Sequence, residues 1–448
     1  MRTRTIDNFL DVDQLLFAKS VIEDRAIPSC IDGLKPVQRK IIFIANKIWK
    51  TGNEKPMKVY QLGGEVSSLA LYAHGDRSMN DAITNMGQTF KNSLPLLEGH
   101  GQYGSLRVPD AGAPRYIGTK LSKNFRLLYK DFELLEKRME EGYEIEPLFF
   151  LPIIPTILLN GSSGIAVGFS TNILNRNPED VVDACIAFLN NKKVKELKPW
   201  LSEFGGTFVR DNDNPNKWNI SGIYKIVNTT TVRVTDLPPA ITFEKYEEYL
   251  DSLIDKKVIV DYENNSSSGV DYVLKFTRAA LKELIDANKL ESVLRVNSSE
   301  TEIIISVDEN DRLLQFERAE DIIPYFCKFR LSWYEKRKKH IIDMLMKEIL
   351  VLGNRAKFIK AIIDKKLKVS NVPKKEICDW LENKKFDKVS NSFDYLINMP
   401  IYSLTKERYA ELLKEYDAKK LELEIMKKRV PADMYLDDLK SLKKSLKN

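Results

Sequence analysis

Residues 64–90 read GEVSSLALYAHGDRSMNDAITNMGQTF, and their spacing predicts two short helices joined by a glycine-containing turn. Gly64 to Tyr72 carries a short helical pattern, His74-Gly75 breaks it, and Asp76 offers a carboxylate cap to a second helix. Met79, Ile83, Met86 and Phe90 then recur at steps of four, three and four, which lays one apolar stripe along that helix. Upstream, Pro36 stands where a first helical turn favours proline. Ile41, Ile42, Ile44, Ala45 and Ile48 follow it as a further apolar face. Helix, glycine-containing turn, helix is the layout of modules that enter a DNA groove. Helix pairs of this kind also occur in any helical core, so the pattern alone does not choose.

Working outward, the pattern changes. Residues 99–118 hold Gly99, Gly101, Gly104, Gly112 and Gly118 of the chain's 20 glycines, with Pro109 and Pro114 in the same window. That composition predicts a loop, and loops are where functional side chains gather. Asn160 to Gly168 (NGSSGIAVG) reads as a second loop. It lacks the Gly-Lys-Ser/Thr of a phosphate-binding loop, so no ATP site is expected there. Lys217 to Val234, Val258 to Val260, Tyr272 to Phe276 and Glu302 to Val307 predict a strand-rich α/β part over 205–310. In the tail, Ile342, Leu345, Ile349, Leu352, Ala356, Ile359 and Ile363 step alternately by three and four. Tyr409, Leu412, Tyr416, Lys419, Leu423, Met426 and Val430 keep the same rhythm, with one polar lapse at Lys419. Two such seams predict an antiparallel coiled-coil hairpin with a small helical knob between its arms, an ordinary helical bundle being the alternative.

Over 448 residues, 70 Lys/Arg against 64 Asp/Glu leave a net charge of only +6. The total hides blocks. Basic and acidic residues number 19 and 12 over 1–130, 21 and 34 over 131–324, and 30 and 18 over 325–448. A basic head, an acidic middle and a basic tail point to parts with different partners. Met1-Arg2-Thr3-Arg4-Thr5-Ile6-Asp7 is followed by no apolar signal core. The longest apolar stretch, Pro147 to Leu159, contains Pro152 and Pro155 and falls short of the roughly 17–25 residues of a membrane helix. Cys30, Cys185, Cys327 and Cys378 lie far apart without a CxxC pair, and there are only 3 histidines. A cytoplasmic location is expected, without disulfides or a histidine-based zinc site.

Several short blocks carry a family resemblance in order. They are Arg25-Ala26-Ile27-Pro28, Asp32-Gly33-Leu34-Lys35-Pro36-Val37-Gln38-Arg39-Lys40, His74-Gly75-Asp76, Gly101-Gln102-Tyr103-Gly104-Ser105 and Ala113-Pro114-Arg115-Tyr116-Ile117. Pro152-Ile153-Ile154-Pro155 and the Asn160 to Gly168 segment follow, then Phe393-Asp394-Tyr395-Leu396, Met399-Pro400 and Ser403-Leu404-Thr405-Lys406. Together they resemble the DNA-cleaving, gyrase A-like part of type IIA DNA topoisomerases. Ser162 to Gly168 looks gyrase-like, whereas Gln38-Arg39-Lys40, Pro114 to Ile117 and the tail look like the eukaryotic enzyme.

The resemblance implies a multidomain α+β chain: a winged-helix DNA-gate domain over 1–135, an α/β tower over 136–325, and coiled-coil arms with a small helical exit-gate domain over 326–448. It implies Tyr116 as the nucleophile that forms a transient 5′-phosphotyrosyl break, with Arg115 stabilising charge beside it. A phenol is a poor nucleophile at neutral pH unless a cation or base assists, and a guanidinium keeps its charge. Arg25, Lys35 and Arg39 would contact phosphates, Lys35 and Arg39 sharing one face at a spacing of four. Such cations on an exposed helix face are more often merely solvated. His74 would sit near the scissile phosphate, or else cap a helix end. Ile165 would wedge between base pairs to bend the duplex; the plain alternative is a core isoleucine at a turn.

Neither the family's Glu and Asp-x-Asp metal carboxylates nor an ATPase signature is found in the sequence. Mg²⁺ and ATP are therefore expected on a separate partner subunit, with this chain acting as a homodimer on double-stranded DNA. No DNA-wrapping domain is expected after the tail, and relaxation and decatenation are expected rather than supercoiling. The rival reading is a non-catalytic architectural DNA-binding or coiled-coil scaffold protein.

Overall fold

The computed structural model describes residues 14–51, 54–267, 269–369 and 372–447; the reading of Met1 to Asp7 lies outside the described residues. The chain forms two compact units, Met1–Arg330 with Leu436–Asn448, and Leu331–Tyr435.

In the first unit, α1 (Pro36–Ile48) starts with Pro36 in its first turn and buries Ile41, Ile42, Ile44 and Ala45. The Lys35 N–H just before it donates to Gln38 Oε1 at 2.9 Å, which satisfies one of the donors a helix start leaves over. The short strand β1 (Met57–Lys58) runs directly into α2 (Val59–Leu69). Helix α3 (Asp76–Gly87) is capped by Gly75 rather than by Asp76. Asp76 lies inside the first turn, where a negative charge complements the helix dipole. Met79, Ile83, Met86 and Phe90 are buried as their spacing requires. Strands β2 (Leu97–His100) and β3 (Gly118–Leu121) pair antiparallel, and β1 adds to the other edge of β3.

The segment Asn160 to Gly168 is not an open loop. Strand β4 (Ser162–Ile165) pairs antiparallel with β5 (Ser170–Ile173), Ser162 facing Ile173 and Ile165 facing Ser170. Gly168, at φ +78°, turns the hairpin, and the Ala166 N–H donates to Phe169 O at 2.8 Å. Ser-Ser-Gly carries almost none of the β-branched signal by which strands are read, so the pairing was hidden.

The strand-rich part contributes to three antiparallel sheets among the described residues, the smallest pairing Ile304–Val307 with Leu313–Phe316. One contains β6 (Thr207–Arg210) and β7 (Lys217–Ser221). Another has the order β8 (Ile223–Asn228), β9 (Thr231–Asp236), β11 (Tyr272–Lys275), β10 (Asp261–Asn264). Val232 and Val234 of β9 and Tyr272 and Leu274 of β11 face a core closed by α4 (Phe243–Asp255) and α5 (Arg278–Asp286), through Tyr246, Leu250, Leu253 and Leu281.

The second unit contains most of α6 (Ile322–Ile363), then α7 (Lys374–Asn383) and α8 (Lys406–Lys428). Lys338 Nζ donates to Lys427 O at 2.8 Å and Lys419 Nζ meets Glu348 at 3.0 Å, so α6 and α8 run antiparallel. Lys419 interrupts the apolar rhythm because it answers Glu348 across the pair, with Glu422 at 3.1 Å on its own helix. Phe358, Ile377, Leu381, Phe393 and Leu396 form the core of the knob between the arms. No described helix is long and apolar enough to cross a membrane, and none of the four cysteines is in a disulfide.

Candidate functional site

Tyr116 lies two residues before β3, and the sheet fixes its backbone. Ile117 is buried, and Gly118 is paired on both sides, with Lys58 of β1 and with His100 of β2. The Tyr116 N–H donates to Ala113 O at 2.8 Å, and Lys58 Nζ donates to Tyr116 O at 2.7 Å. The side chain, by contrast, is 69% exposed. The Arg115 guanidinium lies 5.0 Å from its ring centroid, within reach of a cation–π attraction. A held backbone presents an open phenol beside a permanent cation. Lys58 was not singled out in the sequence, because a two-residue strand leaves no periodic signal.

The loop before Tyr116 is packed rather than slack. The Tyr103 ring fills the space left by Gly87 and Gly99, where an added Cβ would lie 2.7 Å from ring carbons. Its hydroxyl donates to Gly118 O at 2.7 Å, and burial pushes that phenol up to about 12, so it remains a donor. Gln88 Nε2 donates to Tyr103 O at 2.8 Å and to Pro109 O at 3.2 Å. Arg107 goes further. Its Nη1 donates to Pro238 O at 2.8 Å and Ile241 O at 2.9 Å, and its Nη2 to Asp236 Oδ1 at 2.7 Å and to Leu237 O. The Phe243 N–H returns a bond to Arg107 O at 3.1 Å. Arg107 escaped notice because its partners lie far along the sequence, and an arginine in a glycine-rich loop reads as solvated.

A second cluster surrounds the β4–β5 hairpin. Lys35 Nζ donates to Ser163 O at 2.7 Å, and desolvation holds this ammonium below the usual lysine range. Gly164 permits the approach, since a Cβ there would lie 2.2 Å from Ala26 O and 3.2 Å from Lys35 Nζ. Ile165 is 86% exposed, which removes the core alternative. Val167 and Phe169 are exposed beside it. Arg25 is exposed next to Ala26. Arg25, Lys35 and Ile165 are thus brought to one place.

Arg39 does not share the open face expected for it. It is buried, with Nε 2.7 Å from Asp32 Oδ2 and Nη2 3.0 Å from Asp32 Oδ1. Asp32 also accepts from the Leu34 and Phe150 N–H groups at 3.0 Å each. Gly33, at φ +67° with Ile157 N only 2.4 Å from where a Cβ would stand, completes this turn. Arg39 therefore holds the Asp32 turn that leads to Lys35. His74 is exposed in a third cluster, its ring edge-on to Tyr72 at 5.1 Å. The Tyr72 hydroxyl in turn lies 2.9 Å from Ser78 Oγ. No group of three or more His, Cys, Asp or Glu side chains able to hold a metal ion occurs among the described residues.

Comparison with known proteins identifies the family. Residues 25–441 match the model of the DNA gyrase/topoisomerase IV A-subunit family. DNA topoisomerase 2 of Plasmodium falciparum is 31% identical, the alignment covering 97% of this chain and 34% of that protein. DNA topoisomerase 2-alpha of Gallus gallus is 33% identical, with 97% and 30% covered. The chain spans about a third of the length of these curated relatives. A crystal structure of the Plasmodium falciparum topoisomerase II DNA-binding, cleavage and re-ligation domain superimposes with a TM-score of 0.85 at 32% identity, covering 97% of this chain and 63% of that one. Its mixed α+β fold is therefore shared, and this chain belongs to the DNA gyrase/topoisomerase IV A-subunit family.

Proposed function

We propose that the chain is the DNA-breaking and rejoining part of an ATP-dependent type IIA topoisomerase. The observation that carries this reading is the exposed Tyr116 phenol on a backbone tied at both edges, with Arg115 at 5.0 Å. Tyr116 Oη attacks a DNA phosphorus, losing its proton. The bond to the 3′ oxygen breaks, a 3′ hydroxyl leaves with a proton, and the 5′ phosphate stays on the tyrosine. One phosphodiester replaces another, so resealing is the reverse step and needs no ATP of its own. Arg115 offsets the charge that builds on phosphorus-bound oxygens and phenolate.

Arg25 and Lys35 bind flanking phosphates, contacts that position a duplex without reading its sequence. Arg39 acts through the Asp32 turn that it holds, and His74 donates to a phosphate. Ile165 enters the base stack and bends the duplex, which accounts for a branched apolar side chain left 86% exposed. The α1–α3 helices with their small sheet serve as a winged helix, the β6–β11 part as the tower, and α6 with α8 as coiled-coil arms. Two copies form the gate for a second duplex, meeting at the DNA and at the ends of the arms.

Mg²⁺ and ATP are supplied by sequence outside these 448 residues. Within the family, the alternation of gyrase-like and eukaryote-like blocks resembles the medium subunit of a T-even-type bacteriophage topoisomerase, which puts both on a separate polypeptide. Co-purification followed by mass spectrometry tests that arrangement. The cleavage claim is tested by denaturing the complete enzyme on DNA with Mg²⁺. A covalent protein–DNA adduct is expected from the unaltered chain and none from Tyr116→Phe. No adduct from either would favour the architectural reading.

A further inference from the structure

An apolar groove of about 430 Å³ opens between β8 and α5, floored by Ile226, Leu281 and Ile285 and flanked by Arg278 and Lys282. Strand β8 is the edge of its sheet, so the backbone groups of its outer side have no strand partner. Ile226 and Ile285 remain 42% and 40% exposed. An exposed apolar edge strand is something proteins ordinarily blunt or cover.

The charges at the mouth run against the interest of the helix that bears them. Arg278 is the first residue of α5, where the helix dipole is already positive, and no acid occupies that turn. Lys282 follows one turn later on the same side, where it repels Arg278, with Asp286 as its opposite charge a further turn along. Neither cation makes an ion pair or hydrogen bond among the described residues. This happens in a block where acidic residues outnumber basic ones 34 to 21. Local rules broken together, around one groove, are what a binding site leaves in a sequence.

We infer that the groove docks a short acidic, apolar segment of a partner protein. One large aliphatic or aromatic side chain fills the floor, and flanking carboxylates meet Arg278 and Lys282. An extended segment also pairs with the outer edge of β8. DNA fits less well, because the apolar floor of Ile226, Leu281 and Ile285 offers nothing to a phosphate or sugar. The inference does not depend on the cleavage chemistry proposed above.

The test is a selection of random displayed dodecapeptides on the full chain, followed by fluorescence-anisotropy titration of the selected peptides. They should combine Leu, Ile or Phe with Asp or Glu. Their affinity should fall at least about tenfold, ~1.4 kcal/mol, on Ile226→Asp and, separately, on Lys282→Glu. Both positions are exposed, and circular dichroism checks that the fold is kept. Selected peptides without acidic residues, or peptides that bind both variants as tightly as the unaltered chain, would overturn the inference. So would a short duplex whose binding, rather than the peptides', is lost in these variants.

Discussion

The Arg107 guanidinium and the Asp236 carboxylate meet at 2.7 Å across 129 residues of sequence. Asp236 Oδ2 meanwhile accepts the Gly205 N–H at 2.7 Å. The glycine-rich loop that ends in Tyr116 is therefore tied, through one buried side chain, to the turn after β9. Both partners are almost fully buried. Removing one member leaves the other charged, desolvated and unpaired, which in buried pairs costs ~3–5 kcal/mol. Arg107→Ala is expected to lose stability on that scale in equilibrium urea unfolding. A loss under about 1 kcal/mol would mean that the clamp is replaceable.

The glycines around Tyr103 should separate from glycines that merely sit in a helix. At Gly99 a Cβ would strike the Tyr103 ring at 2.7 Å, whereas at Gly64, inside α2, it would meet nothing within 4 Å. Gly99→Ala is expected to destabilise by ~1–3 kcal/mol, as overpacking does. Gly64→Ala should stabilise by ~0.5–1 kcal/mol, because alanine restricts the unfolded chain and suits a helix. Thermal unfolding of the two variants checks the pair, and equal shifts would contradict the packing argument.

Much of the scaffold was legible because its signals are local. Pro36 opens its helix and the Met79 to Phe90 stripe is buried, as are Leu345, Ala356 and Ile359 of one tail seam and Leu412 and Leu423 of the other, whereas Val430 is exposed. The lapse at Lys419 had a partner, Glu348, on the other arm, which no single helix can reveal. What stayed hidden is non-local or lacks a pattern. Arg107 and Arg39 look in sequence like other surface cations. They are buried only because Asp236 and Asp32 wait for them in turns set by distant packing. The β4–β5 hairpin is held by cross-strand pairing and a positive-φ glycine, not by β-branched residues. Tyr116 and Arg115 were found through the family's motif; composition alone gives no reason to choose that tyrosine.

If Ile165 is the bending wedge, it acts on DNA and not on the fold. Its 86% exposure means that Ile165→Ala removes almost no packing. Unfolding and dimerisation are expected to stay near those of the unaltered chain. Duplex bending, read by fluorescence transfer between labelled ends, should weaken, with less cleavage. Unchanged bending would refute the wedge.

Lys35 gives the account a pH dependence. Burial desolvates the Lys35 ammonium and favours the neutral amine, so the folded chain releases this proton at lower pH than the unfolded chain does. Between those two pKa values the unfolded state binds more protons, and the contribution of Lys35 to stability rises with pH. Its contribution to phosphate binding falls over the same interval. The hypothesis is that DNA affinity of the unaltered chain declines earlier on the alkaline side than that of Lys35→Arg, whose guanidinium stays charged. Superimposable affinity–pH curves would contradict it.

The central claim is that Tyr116 becomes the carrier of the broken strand. The most direct measurement is to quench the complete enzyme on DNA with Mg²⁺, digest protein and DNA, and sequence the nucleotide-bearing peptide by mass spectrometry. A single linkage, from Tyr116 to a 5′ phosphate, is expected, and it should disappear in Tyr116→Phe. A nucleotide attached to any other residue, a 3′ linkage, or an adduct that survives Tyr116→Phe would contradict it.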